Sequence, residues 1–181
     1  MKRILILSNL LIFLVIVCSG LKCKETDSNP VILPETTHTG KNTMGALLNG
    51  QVWANDEYPW CLVPNGIDAR YLASGLYVSG ENLTTFVTVS VDHINGPGQY
   101  TILPLNGEAS ISGAALPPGS TDRYKDYRTD ASHSGTVTIT YLDLIHHIAS
   151  GTFTFQAVNV SDPNDIMQVT SGRFDVVFST N

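Results

Sequence analysis

The stretch LTTFVTVSV at residues 83–91 alternates between two sets of side chains with a period of two. Successive side chains of a strand point to opposite faces of a sheet, so this alternation predicts a strand with one buried face. Valine and threonine, which favour strands, dominate it. The same period recurs at residues 136–141, 152–157 and 173–178, and no segment keeps a helical apolar stripe. The sequence therefore predicts an all-β protein.

Turn signals separate these periodic segments. Asn-Gly occurs four times, starting at residues 49, 65, 95 and 106, and Ser-Gly occurs at residues 74, 79, 112, 134, 150 and 171. Asn-Gly closes two-residue hairpins because both residues accept a positive φ. Asn49-Gly50 is the clearest case, since strand-like residues lie on both sides of it.

About eight strands fit this pattern, counting the first two segments as one bent element. Their number and spacing favour a single antiparallel β-sandwich or a flattened β-barrel, between which the pattern does not choose. The predicted segments are 44–48, 51–55, 69–78, 83–92, 98–103, 108–115, 135–145, 149–160 and 166–178.

The N-terminus predicts export. Lys2 and Arg3 precede an apolar run at residues 4–17, which ends at Cys18. A charged start, a short apolar run and a processing point are typical of a secretory signal. The run is shorter than the roughly 20 residues of a membrane span. Cys18 predicts a bacterial lipoprotein anchored through this thiol, with Cys23 as the alternative acceptor.

The processing site leaves a second possibility open. Val17 and Lys22, which precede the two cysteines, are larger than the residue that lipoprotein processing prefers. Ordinary cleavage after Ser19 or Gly20 satisfies the small-residue rule of a standard signal. We expect an outer-membrane or cell-surface lipoprotein, or a periplasmic or secreted protein if no lipid is added.

These signals divide the chain into three parts. Residues 1–17 are the predicted signal peptide, and residues 18–43 are a lipid-anchor region with a flexible tether, because prolines, Gly40 and polar residues interrupt every apolar pair. Residues 44–181 are the predicted all-β domain, which is long enough to bury a core of its own.

Composition excludes several classes of function. Without the signal peptide the chain has eight basic and sixteen acidic residues, which argues against a nucleic-acid partner. Beyond Cys18 and Cys23 only Cys61 is left, so no internal disulfide is expected. We interpret Cys61 as a buried small apolar residue rather than a nucleophile.

Two patterns could suggest a metal site. His146 and His147 are adjacent, and neighbouring side chains diverge in both strands and helices. Asp162, Asn164 and Asp165 surround Pro163, but three groups are too few for the six to eight oxygen ligands of calcium. We predict a solvated hairpin end and a plain turn, with no metal and no cofactor.

No catalytic residue is predicted. The chain has no Gly-x-Ser-x-Gly elbow, no His-Glu-x-x-His helix and no phosphate-binding glycine loop. A glycosidase-like carboxylate pair could be drawn from Asp56, Glu57, Glu108 and Asp122, but the sequence does not bring two of them together.

Two segments are candidates for recognition. The first, at residues 53–66, and the second, at residues 117–134, place aromatic side chains beside polar ones, as sugar- and protein-binding surfaces do. The candidate ligand surface comprises Trp53, Tyr58, Trp60, Arg123, Tyr124, Tyr127 and Arg128. The favoured alternative places the tryptophans in the core and the second loop, which also holds Lys125, in solvent.

Motifs at both ends of the domain resemble a family of uncharacterised lipoproteins from Bacteroidota. The opening motif is TGKNTMGALLNGQVW at residues 39–53, and the closing motifs are GTVTIT at 135–140, SGTFTF at 150–155 and TSGRFDV at 170–176. The family often has Cys where Ala46 stands here. The resemblance implies an exported all-β lipoprotein and no particular activity.

Two hypotheses about function follow from the sequence. The first is a non-catalytic binding or scaffolding domain, held at the membrane by an N-terminal lipid, whose partner is a glycan or an envelope protein. The alternative is an exported hydrolase that acts on glycans or peptides. A concave patch with two convergent carboxylates would favour the hydrolase.

Overall fold

The computed structural model describes residues 32–56, 66–103, 107–113 and 125–180 of the chain. Within these ranges the regular structure consists of β-strands and contains no α-helix, which confirms the predicted all-β class. In the same ranges, no helix has the length and apolar character needed to cross a membrane.

The described residues contain eleven strands, more than the eight or so predicted. They are β1 Thr43–Leu48, β2 Gln51–Ala54, β3 Ile67–Leu72, β4 Gly75–Glu81, β5 Thr85–Val91, β6 Gly98–Ile102, β7 Gly107–Gly113, β8 Lys125–Arg128, β9 Gly135–Asp143, β10 Ile148–Asn159 and β11 Asp162–Val177.

These strands form one antiparallel sheet. Its order is β2-β1-β11-β10-β8-β7-β5-β4-β3, and β9 branches from β10 and carries β6 on its other edge. A parallel bridge between Arg70 and Ser179 links β3 to the residues that follow β11. This arrangement is consistent with a sandwich or a flattened barrel.

The longest strands, β10 and β11, connect the parts of the sheet. They pair from Ile148 opposite Val177 to Asn159 opposite Asp162. On its other edge β10 pairs first with β9 and then, at Val158 and Asn159, with β8. The end of β10 therefore lies between β8 and the start of β11.

Two additional strands account for most of the difference between the predicted and the observed number of strands. The predicted segment 69–78 is two strands, β3 and β4, joined by a turn at Ala73 and Ser74 with φ of 48° and 67°. Those residues lack the Asn-Gly signature that marks such turns. Strand β8 lies in the predicted loop at 117–134, and with four residues it is too short to show a period.

The period of two places the core as predicted. Val87, Val89 and Val91 are buried while Phe86 is exposed. On β10, Phe153 and Phe155 are buried and Thr154 between them is exposed. Leu83 departs from the pattern, because it precedes β5 and its side chain is exposed.

The turn at Asn49-Gly50 confirms the predicted hairpin. Leu48 pairs with Gln51 across it, and Asn49 and Gly50 have φ of 47° and 83°. Asn49 also accepts a hydrogen bond from the Gln168 amide through Oδ1 at 2.9 Å. The turn is thereby fixed against β11.

The last residues of the predicted tether lie on the sheet. Asp175 of β11 is buried, and its carboxylate accepts hydrogen bonds from the Thr37 hydroxyl and from the amides of Thr39, Gly40 and Lys41. Pro34 lies beside Gly45 of β1 and accepts a hydrogen bond from Arg173. Residues 34–41 are thus packed against the domain.

Candidate functional site

A cleft of about 290 Å³ lies at one end of the sheet. The turn between β1 and β2, the turn between β4 and β5, strand β8 and the start of β11 contribute its walls. Long-range pairing brings these elements together, because β8 joins β11 only through the end of β10.

A cluster of polar side chains forms one wall of the cleft. Asp165 Oδ2 accepts hydrogen bonds from Lys125 Nζ at 2.7 Å, from Tyr127 Oη at 2.8 Å and from Asn159 Nδ2 at 3.0 Å. Lys125 and Tyr127 are two residues apart on β8 and therefore share a face. The Lys125 side chain is only 16% exposed, so this ion pair is partly shielded from water.

The three groups keep fixed protonation states near neutral pH. Burial raises the pKa of Asp165, but the hydrogen bonds from Lys125, Asn159 and Tyr127 outweigh it and leave that pKa lowered. The hydrogen bond to Asp165 raises the pKa of Lys125. Burial, followed by the hydrogen bond to Asp165, raises the pKa of Tyr127. Asp165 is therefore a carboxylate and a poor proton donor.

Aromatic rings complete the inner wall. Trp53 and Tyr127 both line the cleft, and their side chains are almost fully buried. Gly80 makes room for the indole, since a Cβ there would lie 2.9 Å from Trp53 Cη2. Trp53 Nε1 is buried and has no hydrogen-bond partner among the described residues. Buried indole N–H groups usually have such a partner.

The rest of the lining is uncharged. It combines amide and hydroxyl side chains at the two turns with three apolar residues; the polar ones are Asn49, Gln51, Asn82, Thr84 and Thr85, and the apolar ones are Leu48, Val52 and Met167. The polar groups both donate and accept hydrogen bonds. Because the charges of Lys125 and Asp165 offset each other, the described walls offer a hydrogen-bonding surface with little net charge.

The structure brings together two of the seven predicted ligand residues. Trp53 and Tyr127 meet in the cleft, although the favoured core placement of Trp53 is also confirmed by its burial. Arg128 lies elsewhere, 58% exposed and paired with Asp126 at 3.0 Å. The other four predicted residues, Tyr58, Trp60, Arg123 and Tyr124, lie outside the described residues.

The role of Asp165 is not predicted from the sequence. The predicted plain turn around Pro163 is wrong in position, because the β10–β11 turn lies earlier, at Val160 and Ser161, and β11 already begins at Asp162. The spacing of two residues between Lys125 and Tyr127 is the one local sign in the sequence that their side chains share a face of a strand. Their acidic partner lies 40 residues from Lys125, a separation that only the fold closes.

The histidine pair diverges as predicted. His146 Nδ1 lies 2.7 Å from Asp143 Oδ2, whereas the His147 ring stacks on Phe178. Both histidines lie in the turn between β9 and β10, which confirms the predicted hairpin end. In the part of the chain that the structure describes, no three His, Cys, Asp or Glu side chains come close enough to hold a metal ion.

The carboxylates considered for hydrolysis do not meet in the described part of the cleft. Asp56 and Glu108 are absent from its lining, and Glu108 approaches Arg128 at 3.9 Å instead. Glu57 and Asp122, like Cys61, fall outside the residues that the structure covers.

Comparison of the chain with protein-family models, with curated proteins and with solved structures finds no match.

Proposed function

We propose that this chain is an exported, lipid-anchored protein of the bacterial cell envelope that binds a ligand without transforming it. The observation that carries the binding role is the cleft between Trp53, Tyr127 and the Lys125–Asp165 pair. The signal at residues 1–17 and Cys18 support the location, and so does the resemblance to lipoproteins of Bacteroidota.

The lining favours a neutral ligand rich in hydroxyl groups, such as a glycan. The side-chain amides and hydroxyls of the lining can satisfy both the donors and the acceptors of a sugar. The volume of about 290 Å³ is near the lower end of small-molecule sites, roughly 300 Å³. The cleft thus suits one or two sugar units of a longer chain better than a large ligand.

The electrostatics favour binding over hydrolysis. Glycoside hydrolysis uses two carboxyl groups, one of which is protonated to act as the acid. Among the described residues, Asp165 is the one carboxylate that lines the cleft, and its pKa is lowered rather than raised. Asp165 Oδ2 also accepts three hydrogen bonds, so this carboxylate holds the side chains of the cleft wall in place.

A glycan array with the purified chain tests the binding role. We expect binding to at least one glycan class, weakened about tenfold, or about 1.4 kcal/mol, by Asp165→Asn, because the amide lacks the charge that pairs with Lys125 and is a weaker acceptor for Lys125 and Tyr127. Arg128→Gln is the matched control, since Arg128 follows Tyr127 on β8 but its side chain does not line the cleft. Equal loss in both variants, or hydrolysis of the bound glycan, would contradict the proposal.

Metabolic labelling with a fatty-acid probe tests the proposed lipid anchor. We expect the chain to take up the label and Cys18→Ala to lose it, because the apolar run meets this cysteine directly. Label that survives Cys18→Ala but not Cys23→Ala would place the anchor at Cys23. A chain that stays unlabelled would be a secreted protein, and the lipid part of the proposal would be wrong.

A further inference from the structure

The Lys125–Asp165 ion pair keeps hydrogen-bonding groups open in the wall of the cleft. Asp165 accepts its three hydrogen bonds through Oδ2, and Oδ1 has no hydrogen-bond partner among the described residues. An ammonium group carries three protons, and the bond to Asp165 uses one of those on Lys125 Nζ. The side chains of Lys125 and Asp165 are 16% and 29% exposed, so both reach the surface of the cleft that they line.

Most of the neutral polar groups in the lining already have partners. Asn49 Oδ1 accepts the Gln168 amide, and Asn82 Oδ1 accepts the amides of Thr84 and Thr85. The hydroxyls of the two threonines lie 3.3 Å apart and bond to each other. Hydrogen bonds to a charged group are also about twice as strong as those between neutral groups. The ion pair is therefore the part of the lining that discriminates most strongly between ligands.

An open donor beside an open acceptor matches two hydroxyl groups on neighbouring carbons. Lys125 Nζ and Asp165 Oδ2 lie 2.7 Å apart, so the free protons and Oδ1 belong to two groups in direct contact. Hydroxyl groups on neighbouring ring carbons are likewise separated by about one hydrogen-bond length. One hydroxyl can accept a bond from Lys125 while the other donates to Asp165.

The same pair disfavours ligands that carry a single charge. A phosphate or carboxylate group that approaches Lys125 also meets the negative charge of Asp165, and an ammonium group that approaches Asp165 meets the positive charge of Lys125. Like charges placed together weaken binding. A pair of neutral hydroxyl groups meets neither penalty.

We infer that the cleft recognises a sugar through two free hydroxyl groups on adjacent carbons, one bonded to Lys125 Nζ and the other to Asp165 Oδ1. The inference rests on the proposed glycan binding and adds the part of the sugar that is recognised. A glycosidic bond or an acyl group on either hydroxyl removes one of the two contacts. The bound unit is therefore the terminal sugar of a chain, where adjacent hydroxyl groups remain free.

An array of deoxy sugars tests this recognition. The purified chain is applied to glycans that end in glucose, galactose, mannose or fucose. Each parent is printed beside derivatives in which one hydroxyl of the terminal sugar is replaced by hydrogen. For the parent that binds most tightly, we expect two derivatives at adjacent carbons to bind about tenfold more weakly, because each leaves one charged group without its partner. The other derivatives should bind within about threefold of the parent.

The substitution Lys125→Met assigns one of the two hydroxyl groups to its partner. Methionine keeps an unbranched side chain and has no proton to donate, so the loss at one adjacent position should shrink below about threefold while the other remains. Lys41→Met makes the same change at an exposed position outside the cleft lining, and it should keep both losses. If Lys125→Met does not fold, the pattern of the derivatives on the wild type decides alone.

The array separates failure of this inference from failure of the proposed function. A loss confined to one hydroxyl, a loss at two positions that are not adjacent, or unchanged losses in Lys125→Met would overturn the inference and leave glycan binding in place. Binding in the wider glycan array without binding to any of these parents would overturn it as well. No binding in either array would overturn the proposed function, and the inference with it.

Discussion

Asp175 shows how a single side chain can depart from the pattern of its strand. It alternates with Phe174 and Val176 on β11, so a period of two assigns it to the face opposite the core. Instead it is 1% exposed, because residues 37–41 cover that face and Ser150 of β10 donates to Oδ1 at 2.8 Å. Five donors in all replace the water that this carboxylate has lost.

These contacts predict an acid-sensitive contribution to stability. Burial raises the pKa of Asp175, but the hydrogen bonds outweigh it and lower the pKa to about 2, below the roughly 3.9 of an unfolded chain. A lowered pKa stabilises the fold above the unfolded value, and the contribution is lost as pH falls through the folded value. It amounts to about 2–3 kcal/mol.

The substitution Asp175→Asn tests this contribution. At pH 7 we expect a loss of about 2–4 kcal/mol, since an amide group cannot accept all five hydrogen bonds and leaves buried donors unpaired. The free energy of unfolding is then measured with denaturant between pH 7 and pH 2. Below pH 4 it should fall less for Asp175→Asn than for the wild type. Asp68→Asn, at an exposed ion pair with Arg70, is the control and should unfold as the wild type does. Identical pH profiles for wild type and Asp175→Asn would contradict the assignment.

At the scale of the element, the strands with a clear period were predictable and the short or charged ones were not. Strands β5, β9 and β10 alternate over many residues, so local sequence alone defines their buried faces. Strand β8, with the sequence KDYR, is held as a strand by pairing with β7 and β10. Its structure depends on neighbours distant in sequence.

Strand β10 allows a direct test of its two faces. Phe153 is buried and stacks near Phe155 with ring centroids 6.2 Å apart, so Phe153→Ala should cost about 3–5 kcal/mol through lost burial and a cavity. Thr154→Ser, on the exposed face, is the matched control and should cost less than about 1 kcal/mol. Denaturant midpoints measure both. Equal midpoints would mean that the aromatic face of β10 is not part of the core.

At the scale of the whole molecule, the segment before β1 belongs to the folded unit. The domain has its own core, and no disulfide or metal is needed to explain its packing. We expect residues 32–181 to unfold in one cooperative transition with a β-type circular dichroism spectrum, unchanged by a chelator. Residues 42–181 lack four of the five donors to Asp175, so they should be less stable by a few kcal/mol. Equal stability of the two chains, or melting that shifts with a chelator, would contradict this view.

The all-β class, the Asn49-Gly50 hairpin and the buried face of each periodic strand could be predicted from the sequence, because they depend on residues that are close in the chain. The sequence also pointed to Trp53 and Tyr127, as aromatic residues beside polar ones. It did not determine that these two meet, nor that Asp165 joins Lys125, because strand order and register are set by packing across the sheet. The cleft is formed by residues from four separate parts of the chain, so only the tertiary structure could place it.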